Sequence, residues 1–132
     1  MAMTTTAGDA RALDEVAGIG AAAGLFRALG DPSRLAILRH LLLGEHRVVD
    51  LTGHLGLAQS TVSKHLACLR GCGLVTCRAE GRASWFALTE PDAVVGLLAA
   101  AEHLLGRTGD AVTLCPAAGG GTSRPAGRGD AP

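Results

Sequence analysis

The fold of this 132-residue chain is decided by the stretch Leu55-Gly56-Leu57-Ala58-Gln59-Ser60-Thr61-Val62-Ser63-Lys64-His65-Leu66. It joins a short apolar helix, predicted from about Arg47 to Leu55, to a second helix predicted from Gln59 to Cys72. Gly56-Leu57-Ala58 makes a tight turn between them. Two helices joined by a short turn that contains glycine are typical of a helix-turn-helix motif.

The second helix has an apolar face and a polar face. Val62, Leu66 and Leu69 recur at i, i+4 and i+7, which predicts that they face the core. Hydroxyl, amide and ammonium groups near a helix N-terminus can bond base edges and phosphates in the major groove of DNA. The candidate DNA-binding residues are Gln59, Ser60, Thr61, Ser63, Lys64 and His65 on this helix, with Arg78 and Arg82 beyond it.

The neighbouring segments extend this motif to a winged helix-turn-helix. Asp31 as N-cap and Pro32 at the first helical position start a helix that is predicted to end at Gly44. Two predicted strands, Val75–Arg78 and Ser84–Leu88, form a β-hairpin that serves as the wing. We therefore predict a mainly α-helical fold with a small β-hairpin.

Two outer helices flank this motif in the predicted domain, residues 9–106. The first runs from Asp9 to Leu29 and is weakened by three glycines, and the last runs from Asp92 to about Leu105. Residues 1–8 are predicted to be a disordered N-terminus, and residues 107–132 a flexible tail that carries Cys115.

Composition narrows the class of protein. Twelve basic and twelve acidic residues give zero net charge, so a nucleic-acid contact must come from a local patch. The chain opens without a signal-peptide pattern and has no apolar run as long as a membrane span, so we expect a cytoplasmic protein without membrane contact. It has no nucleophile–base pair, phosphate loop or cofactor fingerprint, so we do not expect an enzyme.

The cysteines suggest a metal site. In a reducing compartment, four cysteines indicate ligands or packing groups rather than a disulfide framework. Cys68 and Cys72 lie four residues apart on one helix face, about 100° from the apolar stripe. Two thiolates so placed can bind one soft metal ion. Core packing and oxidation in a thiol redox sensor remain the alternatives.

Three motifs resemble the ArsR/SmtB family of winged-helix metalloregulators: Asp31–Leu38, Leu55–Leu66 and Glu80–Arg82. The likeness covers about Leu25 to Leu105. It implies a homodimer, formed largely by the first and last helices. It also implies that the dimer represses a palindromic double-stranded operator when metal-free and lets go when metal binds.

The run from Cys68 to Val75 resembles the cadmium/lead-sensing branch of that family. The resemblance implies that the two cysteines are completed by a third from the C-terminal tail, for which Cys115 is the matching residue. The implied effector is a soft ion, Cd or Pb first, with Hg, As(III) and Zn as further thiophilic candidates.

A second family site, on the last helix, would be represented by Glu90, Asp92 and His103. It would make the chain a zinc, nickel or cobalt sensor. The alternative is a pair of acids at a helix start and a surface histidine.

The remaining candidate ligands are expected to have structural roles. Cys77, on a wing strand, is interpreted as a packing residue. His40, His46 and His54 are not spaced as ligand pairs, so we expect solvated or packed side chains. A metal-binding or protein-interaction module built on the same fold is the rival function from another class.

Overall fold

The computed structural model describes residues 7–114, with the backbone alone at residues 7 and 9. Five helices and three short strands follow one another along this part of the chain. In chain order they are α1 (Ala7–Leu29), α2 (Pro32–Leu41), β1 (His46–Arg47), α3 (Val48–Leu55), α4 (Gln59–Gly71), β2 (Val75–Glu80), β3 (Ala83–Leu88) and α5 (Pro91–Thr108). The predicted winged helix-turn-helix, mainly helical with a small sheet, is confirmed.

Helices α3 and α4 form the helix-turn-helix. Gly56 ends α3 in the left-handed conformation, with φ at +69°, which glycine adopts without a Cβ penalty. Its N–H donates to the carbonyl oxygen of Thr52 at 2.9 Å. Three residues later α4 begins, and its apolar stripe of Val62, Leu66 and Leu69 is buried as predicted.

The core lies between α2, α3, α4, the wing and α5. Its members are apolar and at most 7% exposed: Ile37, Leu38, Leu41, Leu51, Val62, Leu66, Leu69, Val75, Leu88, Val94 and Leu98. Helix α2 starts as predicted, because the Asp31 carboxylate accepts from the N–H groups of Ser33 and Arg34 at 2.8 and 3.1 Å. It ends at Leu41, three residues before the predicted end, and Gly44 turns the chain with φ at +133°.

The wing is larger than the predicted hairpin. Strands β2 and β3 pair from Val75 with Leu88 to Glu80 with Ala83, so only two residues form the tip. The predicted strands were therefore too short. Strand β1 was not predicted. Its two residues extend the hairpin to a three-stranded antiparallel sheet, although Arg47 was assigned to the following helix.

Helices α1 and α5 extend beyond their predicted ends. Helix α1 is continuous through its glycines and already begins at Ala7, and α5 continues to Thr108. Apolar side chains of both are exposed in the protomer: Leu13, Val16, Ile19 and Phe26 on α1, and Val95 and Leu104 on α5. Within residues 7–114, no helix combines the length and the apolar character that crossing a bilayer requires.

Candidate nucleic-acid interface and metal centre

The outer face of α4 presents the polar side chains that the sequence assigned to DNA. Gln59, Ser60, Ser63 and Lys64 are exposed, and Thr61 is half-buried. The N-cap residue, Ala58, makes no side-chain hydrogen bond to the first turn of α4. Its side chain therefore leaves the N–H groups of that turn available to an anion. Among residues 7–114, Lys64 has no ion-pair partner, so its charge is available to a phosphate.

His65 points inward, unlike the other candidates on α4. Its Nε2 lies 4.0 Å from the Asp31 carboxylate, and its side chain is only 17% exposed. The N–H of Arg34 is the main cause that lowers the pKa of Asp31, and the nearby His65 contributes to the shift. The position of His65 favours contact with the start of α2 over contact with DNA.

The two wing arginines differ in how freely their side chains could contact DNA. Arg78 donates from Nε and Nη2 to both carboxylate oxygens of Glu45, each at 2.8 Å, and from Nη1 to Glu80 at 3.1 Å. These hydrogen bonds, with Glu45 first, raise its pKa further. Arg82 is exposed at the tip beside Gly81 and has no ion pair within the described part of the chain. Arg82 is therefore the freer wing cation.

Cys68 and Cys72 are both exposed, on the side of α4 that faces α1 and the start of α2. Cys72 is the C-cap, and its N–H donates to the Cys68 carbonyl oxygen at 3.1 Å. Both cysteines line a cavity of about 290 Å³, whose other walls are Gly24, Arg27, Ala28 and Arg34. The thiols are accessible donors and do not fill the core.

The other two cysteines do not join the pair in the described structure. Cys77 is half-buried on β2, opposite Phe86 of β3. Cys115 lies outside the described residues. Leu114, which precedes it, donates from its N–H to the Glu102 carboxylate, and its carbonyl oxygen accepts from Arg39 Nε at 2.8 Å.

Leu114 is held on the opposite side of α1 from the cysteine pair. The cavity that Leu114 lines is bounded by Phe26 and Leu29 of α1, by Gly30 just after that helix, and by residues of α2 and α5. The α1 residues that line the cysteine cavity are Gly24, Arg27 and Ala28. At 100° per residue the two sets occupy different faces of the helix.

The acids and the histidine of the second candidate site do not meet within one protomer. Glu90 is the N-cap residue of α5, and Asp92 lies in its first turn. His103 is 11 residues beyond Asp92, which places it about 16 Å farther along the helix axis. A shared ion would require residues of a second protomer.

Three histidines that the sequence analysis treated as separate form a cluster. A ligand nitrogen from each of His40, His46 and His54 lies within 4.8 Å of the others. The three were predicted to be solvated or packed side chains, and their closeness to one another was not predicted. The three belong to α2, β1 and α3, so no single periodicity connects them, and only the packing of the elements brings them together.

The structure has a helix-turn-helix, a wing and an exposed polar face on α4. These features define a DNA-binding protein of the winged helix-turn-helix class. The chain belongs to the arsR family of bacterial regulatory proteins, whose family model matches residues 31–76. Its relatives are transcriptional regulators and not enzymes, in agreement with the sequence analysis.

Two relatives are a transcriptional regulator and a probable repressor by name. The HTH-type transcriptional regulator CmtR of Mycobacterium tuberculosis is 53% identical over 70 residues, which cover 53% of this chain and 59% of CmtR. A probable mercury resistance operon repressor of Streptomyces lividans is 41% identical over 66 residues, covering 50% of this chain and 53% of the repressor. Both matches thus span less than two thirds of the relative.

Solved structures of similar proteins share the fold. Reduced HlyU from Vibrio cholerae matches with a TM-score of 0.59 and 37% identity, covering 67% of this chain and 95% of HlyU. The NMR structure of the cadmium metal-sensor CMTR from M. tuberculosis matches with a TM-score of 0.50 and 48% identity, covering 58% of this chain and 82% of CMTR. A homodimeric winged helix-turn-helix domain from Mycobacterium bovis matches with a TM-score of 0.60 and 31% identity, covering 70% of this chain and 89% of that domain.

Proposed function

We propose that this chain is a dimeric, metal-responsive transcriptional repressor of the cytoplasm. It binds a palindromic operator when metal-free and is released when a soft ion binds Cys68, Cys72 and Cys115. One observation carries the proposal: two exposed thiols stand on the same helix whose other face presents the DNA-binding side chains.

The DNA contact rests on α4 and the wing tip. Gln59, Ser60, Thr61 and Ser63 can bond base edges or phosphates, and Lys64 can neutralise a phosphate. Arg82 extends the contact to the flanking backbone or minor groove. Because the chain has zero net charge, affinity must come from this local surface.

The donor set selects the effector. Thiolate sulfurs without carboxylates favour soft ions over Mg or Ca. Cadmium and lead are our first candidates, with Hg, As(III) and Zn as others, and the likeness to a cadmium sensor and to a mercury resistance repressor supports a thiophilic effector. Three thiolates and a divalent ion carry one net negative charge, which the guanidinium groups of Arg27 and Arg34 beside the thiols offset.

The third thiol is expected to come from the partner protomer. A protomer's own Leu114 is fastened to Arg39 and Glu102, on the other side of α1 from Cys68 and Cys72. In a twofold dimer the tail of one copy can meet the α4 of the other. A metal ion that joins α4 to the partner's tail would change the orientation of the two α4 helices on the operator. A coupling of about 1–3 kcal/mol lowers operator affinity roughly 5- to 150-fold.

The dimer would form through α1 and α5. Six large apolar side chains of these helices are exposed in the protomer, more than isolated surface residues explain. The homodimeric M. bovis domain of the same fold supports a homodimer.

Operator release tests the proposal. A palindromic duplex selected by this protein from random DNA is labelled, and binding is followed by fluorescence anisotropy under reductant with added Cd(II), Pb(II) or Zn(II). Cys68→Ser and Cys72→Ser should keep operator binding and lose release by Cd(II), and so should Cys115→Ser. Cys77→Ser is the matched control and should behave as wild type.

Two results would contradict this function. Normal Cd(II) release from Cys68→Ser or Cys72→Ser would refute the site. Release that requires an oxidant and ignores metal would identify a thiol redox sensor instead.

A further inference from the structure

Three imidazoles meet at the junction of α2, β1 and α3, away from the cysteine cavity. His40 is in the last turn of α2, His46 is in β1 and His54 is in the last turn of α3. Their ligand nitrogens lie within 4.8 Å of one another. Among residues 7–114, no other group of three or more histidine, cysteine or acidic side chains is so close.

The three imidazole rings pack closely against one another. The rings of His40 and His54 stack, with centroids 4.9 Å apart and an interplanar angle of 9°. His46 stands across both, at 69° and 72°, with centroids 6.2 and 5.6 Å away. Three nitrogens on a tetrahedral zinc ion would be about 3.3 Å apart, so binding requires the exposed His54 side chain to rotate out of its stacked position on His40 until the three lone pairs converge.

A hydrogen bond to the backbone fixes the tautomer of His46. Its Nδ1 lies 2.8 Å from the carbonyl oxygen of Gly44, which can only accept. Nδ1 therefore carries the proton, and the lone pair of Nε2 is free. Metal-ligating histidines are commonly oriented by such a hydrogen bond from the second ring nitrogen.

His40 is reached from solvent through a cleft of about 240 Å³, whose other walls are Ala36, Arg39, Leu43 and Leu55.

We propose that His40, His46 and His54 form a second metal site, which takes a borderline divalent ion such as Zn(II), Co(II) or Ni(II). Imidazole donors without thiolate favour this class over Cd and Pb. Three protein ligands leave a coordination position open for water. The site would join the first helix of the helix-turn-helix to α2 and to β1, which pairs with the wing at His46 and Phe86.

The test uses the full chain with Cys68, Cys72, Cys77 and Cys115 all replaced by serine, so that no thiolate can bind. Co(II) is titrated, and Zn(II) is then added in competition. We expect one Co(II) per protomer, with the visible absorption of tetrahedral Co(II) and no thiolate charge-transfer band. Adding His54→Gln or His46→Gln should weaken binding at least tenfold, whereas His103→Gln, an exposed histidine on α5, should leave it unchanged.

Because all four cysteines are replaced in this test, its result does not depend on whether the cysteine site proposed above exists. Absence of saturable Co(II) binding would overturn the site. Binding that survives His54→Gln, or that is lost with His103→Gln, would overturn it as well. Thermal unfolding of each variant without metal shows whether the exposed His54 was replaced without loss of the fold.

Discussion

Replacing Ile19 with alanine should weaken the dimer without disturbing the folded protomer. Ile19 lies on α1 and is 69% exposed in the isolated chain. Alanine has the highest helix propensity, so α1 should form at least as well in the variant. What the substitution removes is apolar surface that the proposed dimer covers.

The magnitude follows from the exposed area. Each buried CH₂ contributes roughly 0.8 kcal/mol, and the substitution removes three carbons. With 69% of Ile19 available to be covered, the loss is about 1.7 kcal/mol in each copy. Twofold symmetry uses the position twice, so the dimer loses about 3.4 kcal/mol, which raises its dissociation constant roughly 300-fold.

Sedimentation equilibrium over a concentration series, without metal, measures this constant. Val49→Ala is the matched control, because Val49 is 61% exposed but lies on α3. It should dimerise as wild type. Equal dissociation constants for wild type and Ile19→Ala, or an equal weakening by Val49→Ala, would refute dimerisation through this face of α1.

Three further predictions concern DNA affinity, the core and pH. Lys64→Ala should reduce the slope of log affinity against log salt concentration for operator binding by about 1 per protomer. Arg78→Ala should change this slope less, because Arg78 is already paired with two acids. Salt titrations of both variants test this. Leu51→Ala, at a position with 0% exposure, should lower the free energy of unfolding by about 2–5 kcal/mol in urea. Hydrogen bonds from the Arg47 side chain and then its N–H lower the pKa of Asp50 from 3.8 to about 2. The resulting stabilisation is present above about pH 4 and lost as pH falls towards 2, so Asp50→Asn should flatten this part of the pH dependence of unfolding.

The helix-turn-helix could be predicted because its signals are local. The stripe of Val62, Leu66 and Leu69 follows the helical period, and Gly56 takes the left-handed conformation that the turn requires. The N-cap at Asp31 was equally readable. These features depend on residues within about one turn of each other.

The missed features depend on distant parts of the chain. Strand β1 has two residues, and it pairs in the sheet with β3, almost forty residues later. By period His65 lies on the same face of α4 as Cys68 and Cys72, but the packing of α2 places Asp31 beside it. Arg78 was expected to meet DNA, yet Glu45 from before α3 occupies its guanidinium.

The two candidate metal sites show the same division. The spacing of Cys68 and Cys72 alone determined that both thiols share one helix face, because a helix repeats every 3.6 residues. Their exposure towards α1, and the anchoring of Leu114 on its other side, were decided by how the helices pack. The cluster of His40, His46 and His54 was decided by tertiary structure entirely, since its members share no element and no period.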